Sequence, residues 1–87
     1  MTNWDGLTKH EIQFKHKVLM VQGSKGVIVC GYFDINAFEE TEEACVIISA
    51  PELDGVPDAL VLAITSKAKD LGIKVGMRGQ EVFDLIR

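Results

Sequence analysis

The chain has 87 residues, enough for one domain with one core, since a protein of this size buries only about two-thirds of the surface it exposes when unfolded. A hydrophobic content of 47% excludes a disordered chain. The net charge of -4 and the thin spread of basic residues argue against nucleic acid as a partner, because phosphate recognition needs a clustered basic footprint.

Residues 1–7 carry no periodicity and are expected to be irregular and loosely attached. From Thr8 to Lys17 the pattern alternates: His10, Ile12, Phe14 and His16 fall on one face, and lysines and polar residues on the other. A period of two predicts an outer strand with one wet face. Val18 to Val21 continue as a second apolar run. Gln22-Gly23-Ser24-Lys25-Gly26 is a turn by its glycines. Val27 to Phe33 is predicted as the next strand, apolar on both faces and therefore interior. These segments together predict an antiparallel meander.

A short helix is expected to follow, with Asp34 as its N-cap and Ile35 and Phe38 sharing the buried face. Its acidic end, Glu39 to Glu43, opposes the helix dipole. Ala44 to Ile48 is rich in β-branched residues and predicts a strand. Residues 49–57 hold both prolines and break the pattern. A long helix is then predicted over Asp58 to Leu71, with Leu60, Ile64, Ala68 and Leu71 as its stripe and Gly72 ending it. After a glycine-spaced connector, Gly79 to Ile86 predicts a final helix that turns Val82, Phe83 and Ile86 inward. The fold class expected is α+β: a small single-domain mixed sheet of about four strands, with one long and two short helices.

Two segments together resemble a known family. Gly-Val-Ile-Val-Cys-Gly-Tyr-Phe-Asp (Gly26 to Asp34) and Leu-Gly-Ile-Lys-Val-Gly-Met-Arg-Gly-Gln-Glu-Val (Leu71 to Val82) are similar to the YunC-like family of small prokaryotic proteins of unknown function. Cys30, Gly31 and Asp34 match the first motif, and Leu71, Gly72, Ile73, Gly76, Met77, Gly79 and Glu81 match the second. The resemblance covers Val18 to Arg87. It departs in the middle strand, where Val46-Ile47-Ile48 stands in place of Val-Gly-Val. It implies a small mixed α/β fold in the cytoplasm and no established reaction.

Cys30 is the first candidate for chemistry. A reactive thiol needs a lowered pKa, from a helix N-terminus, a cation or a histidine nearby. The competing reading is a small buried hydrophobe packed at a strand end. Asp34 is a catalytic candidate beside it and also the natural cap of the following helix. The second candidate site is the turn Gly76, Arg78 and Gly79, where N–H groups at a helix start could hold an anion. Those glycines also serve simply to end one helix and permit a tight turn.

Cys45 lies outside both motifs and reads as core. A bridge between the two thiols would require neighbouring strands in register. His10 and His16 lack a partner at ligand spacing, and the glutamate run lacks the alternating acids of a calcium loop, so neither a metal nor another cofactor is expected. With no secretory segment and no apolar run of membrane-spanning length, the protein is expected in the cytoplasm without a membrane partner. No catalytic constellation is complete. The leading functional expectation is therefore a non-enzymatic domain acting as a homo-oligomer or through a protein partner. The alternative is a small-molecule or anion-binding protein, or an enzyme, with its site between the Cys30–Gly31 strand end and the Gly76–Gly79 turn.

Overall fold

The computed structural model describes residues 3–87; the expectations for Met1 and Thr2 lie outside them. The first alternating segment forms β1 (Thr8–Gln13) and turns back into β2 (Lys17–Gln22), with Phe14 N–H donating to the His16 carbonyl at 3.1 Å. The Gly23–Gly26 turn closes with a 2.8 Å bond from Gly23 N–H to the Gly26 carbonyl, and β3 (Val27–Val29) runs back antiparallel. This is the expected meander. Helix α1 (Ile35–Glu40) then crosses to β4 (Cys45–Ile48), which lies parallel to β3. Parallel neighbours need such a crossover, because no tight turn can join them. β5 (Val61–Ile64) pairs antiparallel with β4 and completes a five-stranded mixed sheet in the order β1-β2-β3-β4-β5. A single 3-10 segment (Leu53–Asp58) bridges β4 to β5; α2 (Ser66–Asp70) and α3 (Gly79–Ile86) follow.

The α+β class holds, with one strand more than expected. The extra strand and the missing long helix have one cause. Leu60, Ile64 and Ala68 are spaced like a helical stripe, yet Val61 to Ile64 add to the sheet and only Ser66 to Asp70 are helical. Thr65 separates the two. Its N–H donates to the Cys45 carbonyl at 3.1 Å, and its hydroxyl oxygen accepts from Ala68 N–H at 3.3 Å as the cap of α2. Gly72 ends α2 as expected, with φ of +93°.

Strand β3 also ends earlier than predicted. Cys30 N–H still bonds the Leu19 carbonyl at 3.2 Å, but the Phe33 N–H folds back to the Cys30 carbonyl at 3.3 Å. Gly31 to Phe33 are thus a turn, which delivers Asp34 to the start of α1.

Register builds the core. Val21 faces Ile28 and Ile28 faces Val46, which aligns Leu19, Val21, Ile28, Cys30, Val46 and Ile48 on one face of the sheet. Val82, Phe83 and Ile86 from α3 join the same buried cluster, as the helical spacing predicted. Each such side chain contributes about 1.5–3 kcal/mol on burial. Residues 3–7 are irregular but not loose. The Trp4 ring sits 4.9 Å from that of Phe83, and Arg87 donates to the Asn3 carbonyl at 3.0 Å.

β1 departs from the one-wet-face pattern: all six of its residues are exposed. Among the described residues no layer covers the face bearing His10 and Ile12, and Ile12 is 56% exposed.

Candidate functional site

A groove of about 760 Å³ opens beside Cys30. Three segments line it: the β1–β2 turn with Gln13 and Lys15 to Lys17, the turn after β3 with Cys30 to Tyr32, and the segment after β4 with Ser49 to Pro51. The antiparallel return of β2 beside β3 is what folds the basic turn over the end of β3.

Cys30 forms part of the wall but is only 5% exposed. Its Sγ accepts a hydrogen bond from Leu19 N–H at 3.4 Å. That engagement and its place in the core favour the packed reading. Asp34 is the N-cap of α1, its Oδ1 accepting from Asn36 N–H at 2.9 Å. The carboxylate is therefore committed to the helix start.

Gly31 is different. It has no positive φ, and a Cβ built on it would meet nothing within 4 Å. Neither backbone conformation nor crowding requires a glycine there. Tyr32 is 52% exposed, stands edge-on to Phe14 with centroids 6.1 Å apart, and its Oη accepts from His16 N–H at 3.4 Å.

The Gly76–Gly79 turn is not part of this groove. It runs along the outer side of β5, where Val61 N–H donates to the Met77 carbonyl at 2.8 Å and Gly76 N–H to the Val61 carbonyl at 2.9 Å. Several donors expected to hold an anion are already used. Gly79 N–H bonds the Ala59 carbonyl at 2.9 Å, and Arg78 N–H bonds the Glu81 carboxylate at 3.1 Å. The Arg78 side chain reaches the Asp58 carbonyl at 3.3 Å. Gly79 has a packing reason: a Cβ there would lie 2.0 Å from the Val56 carbonyl oxygen.

The two cysteines are free and buried. Cys45 pairs with Val27, three positions before Cys30, which separates the thiols by about 10 Å along the strands. Burial, and secondarily the charge of Glu43, pushes the Cys45 thiol up to about 12. His10 lies away from His16, within 3.3 Å of Gln22 Oε1. Among the described residues no three His, Cys, Asp or Glu side chains gather as a metal set, and no helix is long and apolar enough to cross a membrane.

The basic wall of the groove was not read from the sequence. Phe14 to His16 reverse the chain without glycine or proline, and the alternating pattern runs through them unbroken. The consecutive polar triplet Lys15-His16-Lys17 was the only signal of a turn.

This architecture, a mixed sheet whose β3–α1–β4 crossover leads into a glycine-marked C-terminal helix, is that of a recognised class. A family model described as a domain of unknown function (DUF1805) matches residues 29–86, and the chain belongs to that family. The uncharacterized protein YunC of Bacillus subtilis (strain 168) is 33% identical over 74 residues, spanning 79% of this chain and 73% of its own length. The crystal structure of a protein of unknown function from Thermoplasma acidophilum has the same fold, with a TM-score of 0.80 over 93% of each chain at 21% identity. Family and relatives alike are of unknown function. The family match begins at Val29, so the β1–β2 hairpin lies outside it.

Proposed function

We propose that this domain acts by association, in the cytoplasm, with a second copy of the chain as its partner and β1 as the joining edge. The observation that carries this reading is that β1 ends the sheet, is exposed on both faces, and among the described residues has no strand along its outer side. Unpaired N–H and C=O groups on such an edge are a template for a further strand. The opposite edge is partly closed, because the Gly76–Arg78 turn bonds the start of β5. Exposed Ile12 and Phe14, at 56% and 61%, supply apolar area beside the open edge.

Charge selects the register. A two-fold axis normal to the sheet keeps each face continuous. Centred on His10, it sets Lys9 of each copy against Glu11 of the other and Thr8 against Ile12. Centring on Lys9 or on Glu11 sets like charges opposite each other. Opposed unlike charges across strands are worth roughly 0.2–1 kcal/mol per pair, so they fix register while backbone bonding and burial supply most of the affinity.

Sedimentation velocity at micromolar concentration is expected to show a dimer. Lys9→Glu weakens the dimer and moves the equilibrium toward monomer, and the double exchange Lys9→Glu with Glu11→Lys restores it. Circular dichroism confirms that each variant is folded. A wild-type monomer throughout that range, or a dimer indifferent to Lys9→Glu, overturns the proposal.

A further inference from the structure

We infer that the groove beside Cys30 is a binding site for a small organic anion, with a carboxylate or phosphate head and a short apolar body. The inference is independent of association through β1.

Its position is the first argument. Cys30 to Tyr32 follow β3 and Ser49 to Pro51 follow β4, so the groove opens at the carboxyl ends of the parallel pair. Strand direction reverses between β3 and β2 at the same place. Open sheets with parallel strands take ligands outside those carboxyl ends, where the connections leave in different directions and a crevice forms between them.

The second argument is Gly31. A Cβ at this position would meet nothing within 4 Å, and its φ is not positive. Neither a positive φ nor crowding asks for a glycine here, in contrast to Gly79, whose Cβ would collide with the Val56 backbone. What the bare position does is keep the groove open.

The third is charge. In a chain of net charge -4, Lys15, His16 and Lys17 converge on one wall. Lys17 is shared with Glu11 at 3.7 Å and Glu52 at 3.9 Å, so it acts chiefly as a tether. Lys15 forms no ion pair among the described residues and is the ammonium available to an anion. The Tyr32 oxygen accepts from His16 N–H, which leaves its own hydroxyl hydrogen to donate to the head group. The Tyr32 ring, Ala50 and Pro51 offer apolar surface to the body. Cys30 Sγ, held by Leu19 N–H, belongs to the wall and forms no bond to the ligand.

Gly31 also supplies a test, because Gly31→Leu adds bulk to a residue of the groove wall whose Cβ meets no atom within 4 Å. The experiment is an amide NMR titration with benzoate and with phenyl phosphate, using benzyl alcohol as the neutral control. Benzoate, phenyl phosphate or both are expected to shift the amides of Lys15, Gly31 and Tyr32, and whichever binds tighter identifies the head group. Benzyl alcohol leaves these amides in place. Gly31→Leu retains the wild-type melting temperature and loses the response. Lys15→Glu weakens binding by about tenfold, the scale of reversing one charge at a partly exposed contact. If neither anion moves these amides, if benzyl alcohol matches them, or if folded Gly31→Leu still binds, the inference is wrong.

Discussion

The hydroxyl of Thr65, buried at 1% exposure, donates to the Glu43 carbonyl at 2.7 Å and accepts from Cys45 N–H at 3.0 Å and Ala68 N–H at 3.3 Å. One side chain thus ties the start of β4, the end of β5 and the cap of α2. Thr65→Val keeps the shape and removes all three bonds. The stranded buried groups and the lost cap together are expected to cost about 2–4 kcal/mol, read from urea unfolding. Cys45 stands beside this network with its thiol raised from the ordinary 9.0 to about 12, first by burial and then by Glu43. A raised folded-state value means stability is intact below pH 9 and declines as pH rises from there toward 12. The slope is about 1.4 kcal/mol per unit, because only the unfolded chain loses the proton. Wild type is therefore expected to lose more stability than Cys45→Val between pH 9 and 11, in parallel urea titrations. In the sequence Cys45 already read as core, from its β-branched neighbours. The role of Thr65 was not legible, because two of its partners, Glu43 and Cys45, come beside it only when β4 and β5 pair; the contact with Ala68 alone is local.

Among the elements, α3 was fully legible and the preceding helix was not. Gly79 to Ile86 presents Val82, Phe83 and Ile86 at helical spacing, and Glu81 meets the Arg78 N–H at 3.1 Å, so local and tertiary preferences agree. Gly79 lets the first turn of α3 press on the Val56–Pro57 backbone. With a Cβ placed 2.0 Å from the Val56 oxygen, Gly79→Ala is expected to destabilise by about 3 kcal/mol or more, measured as a lowered urea midpoint. Residues Val61 to Ile64 show the opposite case. Taken locally they continue a helical stripe, but Val46, Ile47 and Ile48 offer them a strand to pair with. A four-residue apolar run cannot be assigned by periodicity alone, and the available neighbour decides. The β-branched Val61, Ile64 and Thr65 were the local hint. Cys30 to Phe33 likewise turn where the apolar run suggested continued strand, because Phe33 N–H finds the Cys30 carbonyl before the sheet extends further.

At the scale of the whole molecule, the two motifs once joined as a single prospective site part company. Cys30 and Gly31 face the β1–β2 turn, while Gly76 to Gly79 close the far edge of the sheet along β5. That division leaves a basic-walled groove at one place and an open strand edge at another. Each is a separate surface with its own test. The amino-acid sequence by itself determined the α+β class, the antiparallel start, the cap at Asp34, the core face of α3 and the family. These rest on contacts between residues near in sequence, or on periodicity that one element carries alone. Only the tertiary structure decided that Val61 to Ile64 are a strand, that Lys15 and His16 line one groove with Gly31, and that all of β1 is exposed. Those depend on which strand lies beside which, and strand neighbours are chosen by the burial of the whole core rather than by any local run of residues.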